Sequence, residues 1–108
     1  TEEEANAAVR EVGWLNDRML GVMRFSGQTP WERHPDGDEL LHVLEGEVEI
    51  TILADAGPTR VTARAGSVLV CPQGLWHRQY AREPVTILFG TPVITSEISL
   101  LDDPRAPA

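Results

Sequence analysis

The 108-residue chain contains no lysine, so its nine cationic side chains are all arginine. Seventeen carboxylates outnumber them and set the formal net charge at −8. That balance argues against nucleic acid as a partner, because phosphate binding calls for clustered cations. Anionic membrane surfaces are disfavoured for the same reason. A single cysteine, Cys71, excludes an internal disulfide, a CxxC zinc site and a redox pair. That usage suits a reducing compartment, and the chain is expected to be cytoplasmic. No apolar run approaches the roughly 18 residues of a membrane span. The first residues, Thr1-Glu2-Glu3-Glu4, are the reverse of a basic leader. There is no glycine-rich phosphate loop, no G-x-S-x-G and no internal repeat. Hydrophobic residues still make up 42% of the chain, enough for one core but, at this length, not for two.

Three segments are expected. Residues 1–13 read as a short helix. Thr1 and Glu4 fit a capping box, and Ala5, Ala8, Val9 and Val12 recur at helical spacing. Gly13 suits a stop. From residue 14 to 95 the pattern is β. Short runs at roughly eight-residue spacing are punctuated by Gly and Pro, as in a sandwich or barrel. Breaks are expected at Pro35–Asp38, Glu45-Gly46, Ala56–Pro58, Ala65-Gly66, Pro72–Gly74 and Glu83-Pro84. No helix of crossover length lies between strands, which disfavours a parallel sheet. Residues 96–108, with Pro104 and Pro107, read as a loose or draped tail.

Two short motifs carry the chemistry. The first is Glu32-Arg33-His34, then Glu39 and Gly46. The second is Gly66, then Pro72-Gln73-Gly74, then His77. Glu32 and His34 lie two apart, so one strand can point both inward. The turn at 35–38 lets Glu39 face the same way, and His77 arrives from a distant strand. Two imidazoles and one or two carboxylates resemble the 2-His-1-carboxylate set of non-haem iron sites. Manganese, nickel, cobalt and zinc suit the same donors. The alternatives stay open: Glu32 as a solvated strand residue, Glu39 bonded to turn amides, and both histidines as satisfied polar groups in a metal-free barrel.

These motifs resemble those of the cupin superfamily, G-x5-H-x-H-x3,4-E-x6-G and G-x5-P-x-G-x2-H-x3-N. The second is matched from Gly66 to His77 and departs only at Ala81, which stands for the Asn. In the first, Glu32 replaces the leading His, and Ser26, beside Gly27, stands at the leading Gly. The resemblance implies an all-β double-stranded β-helix, or jelly-roll barrel, of the small single-domain kind. It implies a divalent transition metal (Fe, Mn, Ni or Zn) on Glu32, His34, Glu39 and His77. It implies a small-molecule enzyme, with a dioxygenase first; Glu32 would be a fourth ligand or the catalytic base. A metal-dependent isomerase or lyase, or a non-catalytic ligand-binding barrel, are the alternatives. A small-molecule substrate and a homodimer are the expected partners. Glu32 in place of a neutral imidazole adds charge and should favour harder divalent ions. Comparing iron and zinc preference in wild type and Glu32→His checks this, and equal preference would refute it.

Other positions follow from strand parity. His42 lies three from Glu39 and should face away from the site. Trp31 and Trp76 alternate away from the ligand candidates and should pack rather than line a pocket. Gln79 shares the face of His77 and should line it. Leu41, Val43, Met23 and Phe25 should point inward, and Cys71 should be a buried small apolar residue.

Overall fold

In the computed structural model, residues 8–92 and 96–105 are described. They form nine strands and no helix. The first two strands correct an expectation. Ala8–Leu15 (β1) and Arg18–Gln28 (β2) form an antiparallel hairpin from Ala8↔Arg24 to Leu15↔Arg18. The helix expected over 1–13 is therefore strand from residue 8 onward; residues 1–7 lie outside the described residues. The helical face was only four small residues wide, and a short helix needs docking to persist. The hairpin instead gives β1 a backbone partner along its length. Its turn is Asn16-Asp17, with Asn16 left-handed at φ 55°, the conformation such two-residue turns require.

The remaining strands are Trp31–Arg33 (β3), Glu39–Glu45 (β4), Glu47–Ala54 (β5), Gly57–Arg64 (β6), Val68–Cys71 (β7), His77–Thr91 (β8) and Glu97–Ser99 (β9). Every pairing among them is antiparallel. The sheet curls on itself as the expected all-β jelly roll. β8 is its hub, bonding to β2, β3, β4 and β5. Its first residues, His77–Tyr80, pair with β5, and Thr86–Gly90 pair with β4. One long strand thus belongs to both layers and forms the corner between them.

That corner explains a second difference. Glu83-Pro84 was expected to end a strand, yet β8 runs through it. Residues 82–84 take no ladder partner, so the missing Pro84 N–H leaves no bond unmade. Register shifts at Phe25/Gly27 and Val43/Glu45 lie opposite the bend. Gly46, at φ 85°, passes so close that a Cβ there would sit 2.9 Å from the Pro84 carbonyl oxygen. The turn expected at 56–58 falls one residue earlier, at Asp55-Ala56. Pro58 is tolerated inside β6 because that strand bonds only to β5.

Inward residues alternate along the strands. On β4, Glu39, Leu41 and Val43 are buried while His42 faces the other way, as parity predicts. Phe25, Leu41, Val43, Ile50, Val85 and Ile87 form the centre of the core. Trp31, Trp76 and Leu53 form a second cluster. Arg78 stacks 4.4 Å from the Trp31 ring and Arg33 4.6 Å from Trp76. The expected tail is partly draped structure: β9 pairs with β3, and Trp31 Nε1 donates to the Asp102 carbonyl at 3.0 Å. Among the described residues, no helix is long and apolar enough to cross a membrane.

Gly21 on β2 leaves room for an aromatic ring. A Cβ there would lie 2.5 Å from Phe89 Cζ and 2.9 Å from Cε2. Gly21→Ala is expected to lower stability by about 1–3 kcal/mol, the usual cost of overpacking. Urea unfolding measures it; an unchanged midpoint would contradict the close approach.

Candidate metal centre

Strand pairing brings the four motif residues together. Glu32 on β3 lies directly opposite His77 on β8 in the ladder. His34 follows β3 immediately, and Glu39 opens β4 after the turn between them. Residues from both motifs clasp that turn. The backbone N–H of Gln73 donates to Asp38 Oδ1 at 2.7 Å, and Gln73 Nε2 donates to the Pro35 carbonyl at 2.7 Å. Gly74 N donates to the His34 carbonyl at 3.1 Å. Arg18 Nε holds the Asp38 carbonyl at 3.1 Å from the side of β2.

One atom from each of Glu32, His34, Glu39 and His77 falls within 4.8 Å of the others. Glu39 Oε1 lies 3.0 Å from His77 Nε2 and 3.5 Å from His34 Nε2. Glu32 Oε1 lies 3.2 Å from His34 Nε2 and 3.8 Å from His77 Nε2. His34, Glu39 and His77 are buried, and Glu32 is half-buried at the opening. Despite the short approaches, His34 Nε2, Glu39 Oε1 and His77 Nε2 have no directed hydrogen-bond partner. They face one another as charges rather than through directed hydrogen bonds, and all three converge on one point. Ligands at about 2.1 Å from an ion and at right angles lie about 3 Å apart, so the spacing fits a coordination shell.

The surroundings fix the orientation of two of the donors, His34 and Glu39. Ser96 Oγ donates to the Pro92 carbonyl at 3.0 Å and contacts His34 Nδ1 at 2.8 Å. A carbonyl can only accept, so the hydroxyl proton goes to Pro92 and Nδ1–H donates to Ser96. In the neutral ring, the Nε2 lone pair then points at the cluster, as a ligand requires. Thr91 Oγ1 donates to Glu39 Oε2, which leaves Oε1 for the centre. Thr91 shares the inward parity of Ile87 and Phe89 and was legible in principle. Nothing in the spacing signalled Ser96.

Burial opposes charge on His34, but the carboxylates of Glu32 and Glu39 outweigh it and hold the imidazole at about 9. Burial likewise opposes charge on Glu39, but His34 and His77 hold it down at about 2. Burial, with the nearby Glu39 and Glu32 charges, pushes the Cys71 thiol up, so it is a packed thiol rather than a nucleophile. A pH dependence follows for the metal-free protein. The raised His34 stabilises the fold fully below its ordinary 6.5, and that share is lost as pH rises through 9. The lowered Glu39 contributes fully above 4.5, and that share is lost as pH falls through 2. With chelator present, the melting midpoint should therefore be highest between pH 4.5 and 6.5 and fall towards 9. His34→Gln should flatten the alkaline limb. A midpoint that climbs from 6.5 to 9 in the wild type would contradict the pairing.

Beside the cluster lies a cavity of about 360 Å³. Glu32, Glu39, His77 and Gln79 line its polar side, and Met19, Met23 and Phe89 its apolar side. Gln79 thus lines the pocket as expected. Trp31 and Trp76 do not, and pack behind it.

A curled antiparallel barrel with two imidazoles and two carboxylates gathered beside a cavity defines a jelly-roll protein with a potential metal-binding cluster. The chain belongs to the cupin family: the family model described as Cupin domain (Cupin_2) matches residues 21–90. It is 36% identical over 77 residues to the uncharacterized protein YdbB of Bacillus subtilis, a match covering 71% of this chain and 63% of YdbB. A cupin-2 domain protein of Shewanella frigidimarina superposes with a TM-score of 0.69 at 29% identity, covering 79% of each chain. Hydroquinone 1,2-dioxygenase PnpCD, solved with Cd2+ and 4-hydroxybenzonitrile, superposes with a TM-score of 0.64 at 26% identity, covering 75% of this chain and 61% of that one. The chain spans less than two thirds of the length of the curated relative YdbB.

Proposed function

We propose that this cupin is a metal-dependent small-molecule enzyme of the non-haem oxygenase type. The observation that carries the reading is the convergence of three buried ligand atoms that make no directed hydrogen bond, with Glu32 beside them, at the wall of a cavity. The resemblance to a dioxygenase structure that holds a divalent ion supports it. His34, Glu39 and His77 would hold the ion, which is Fe, Mn, Ni or Zn by donor chemistry. Bound there, such an ion supplies Lewis acidity and, where redox-active, dioxygen chemistry. Glu32, half-buried at the opening, is either a fourth ligand or the base that takes a proton from a substrate hydroxyl. Ser96 and Thr91 keep His34 and Glu39 aimed. Met19, Met23 and Phe89 keep water from one wall of the cavity. A cytoplasmic location and a homodimer belong to the same proposal. The outward Leu40, Val68 and Val70, adjacent on β4 and β7, support the dimer, and sedimentation at micromolar concentration checks it.

The test is elemental analysis of protein purified without added metal or affinity tag, followed by oxygen consumption of the anaerobically iron-loaded protein with phenols and thiols. Near one ion per chain and oxygen uptake coupled to substrate loss is the expected result. Substrate loss without oxygen uptake would move the reading to an isomerase or lyase. Ligand binding without turnover would move it to a binding module.

A further inference from the structure

The charge of the cluster bears on what the cavity admits. Glu32 and Glu39 carry two formal negative charges, and a divalent ion carries two positive ones. The loaded site therefore has no net charge with which to draw in an anion. A histidine in place of Glu32 would leave one positive charge over. The cavity offers no substitute: among the described residues that line it, none is arginine, and the chain has no lysine. Its apolar walls, Met19, Met23, Phe89 and Ile98, suit a flat ring instead, through thioether and aromatic contacts.

One polar group in the cavity has no task within the protein. Gln79 is 5% exposed, and its Oε1 makes no hydrogen bond. Its backbone is pinned on both sides of the residue. Thr29 N donates to the Gln79 carbonyl at 2.9 Å, and Gln79 N donates to Thr29 Oγ1 at 2.9 Å. Gln79 lies one strand repeat from His77 on the same face, about 7 Å along β8. A buried amide oxygen at that distance, on a backbone held at both its N–H and its carbonyl, is an acceptor waiting for a donor.

We infer that the loaded pocket takes neutral, hydroxyl-bearing aromatic molecules, excludes carboxylates of the same size, and uses Gln79 Oε1 to hold the hydroxyl. This substrate class rests on the metal-centre reading above. Gln79 is a specificity residue and not a metal ligand, so its replacement should leave metal content unchanged.

The test is calorimetric titration of the zinc-loaded protein at neutral pH with 4-methylphenol, 4-methylbenzoate and toluene, with zinc content measured before and after. Zinc keeps binding separate from turnover. In the wild type, 4-methylphenol should bind at least about tenfold more tightly than 4-methylbenzoate, which would have to bury a charge unpaired. Gln79→Leu should lower 4-methylphenol affinity about fivefold, the worth of one hydrogen bond, and leave toluene affinity and zinc content alone. Gln79→Met is the second variant should leucine impair folding. Glu32→His, where it still holds zinc, should raise 4-methylbenzoate affinity. Equal or tighter binding of 4-methylbenzoate by the wild type overturns the inference, as does a Gln79 variant with unchanged 4-methylphenol affinity. Failure to hold zinc overturns the metal-centre reading and this inference together. Selective 4-methylphenol binding with no oxygen consumption by the iron form overturns only the oxygenase reading.

Discussion

Glu39→Gln is expected to abolish metal retention while the barrel still folds. Glu39 Oε1 stands between the two imidazoles, nearer to His77 than any other ligand pair in the cluster. The amide keeps the volume and can still accept from Thr91, but it removes the anionic donor. Loss of partners that merely orient a ligand costs about 10–100-fold in metal affinity. Loss of a ligand should exceed that, so affinity should fall by more than about 100-fold. Elemental analysis reads the metal, and a thermal melt in chelator reads the fold. A Glu39→Gln protein that retains one ion per chain would remove Glu39 from the ligand set.

Leu41→Ala should be strongly destabilising. Leu41 is wholly buried and lies between Leu69 on β7 and Phe89 on β8 in the ladder. Neither neighbouring strand can collapse into the space without breaking register. A leucine-to-alanine change of this kind costs about 2–5 kcal/mol, against a total of about 5–15 kcal/mol for a domain of ordinary stability. Leu41 is also two residues from Glu39 on the same face, so metal affinity should weaken with it. Urea unfolding gives the size; a loss below about 1 kcal/mol would mean that the site repacks freely.

Much of the site was legible because its chemistry is local. Glu32 and His34 obey the two-residue period, and Pro35–Asp38 is a turn in any context. His42 was correctly turned away by the same parity. The positioning groups were harder to read because they are distant in sequence. Ser96 reaches His34 across 62 positions, and Thr91 reaches Glu39 across 52. The fold was legible for a different reason: alternation with Gly and Pro punctuation is a property of each strand alone. It failed where pairing overrode local preference. The spacing of Ala5, Ala8, Val9 and Val12 favoured a helix, but the Asn16-Asp17 turn delivered Ala8–Leu15 to β2. Pro84 marks a break in most strands and survives in β8 only because the corner leaves it unpartnered.

The place of β8 in the sheet also governs how the chain can be made. Four strands, β2, β3, β4 and β5, take it as a neighbour, yet all four are synthesised before it. Until Thr91 has left the ribosome, β2 has only β1 beside it, β4 only β7 and β5 only β6. The nascent chain is then a set of separate strand pairs, β1–β2, β4–β7 and β5–β6, with open hydrogen-bonding edges, a state prone to pairing with another chain. Closure comes late and in one step, when β8 joins these pairs together. The barrel should therefore close only once β8 has been made, and a chain stalled before residue 77 would be a substrate for chaperones rather than a half-built barrel.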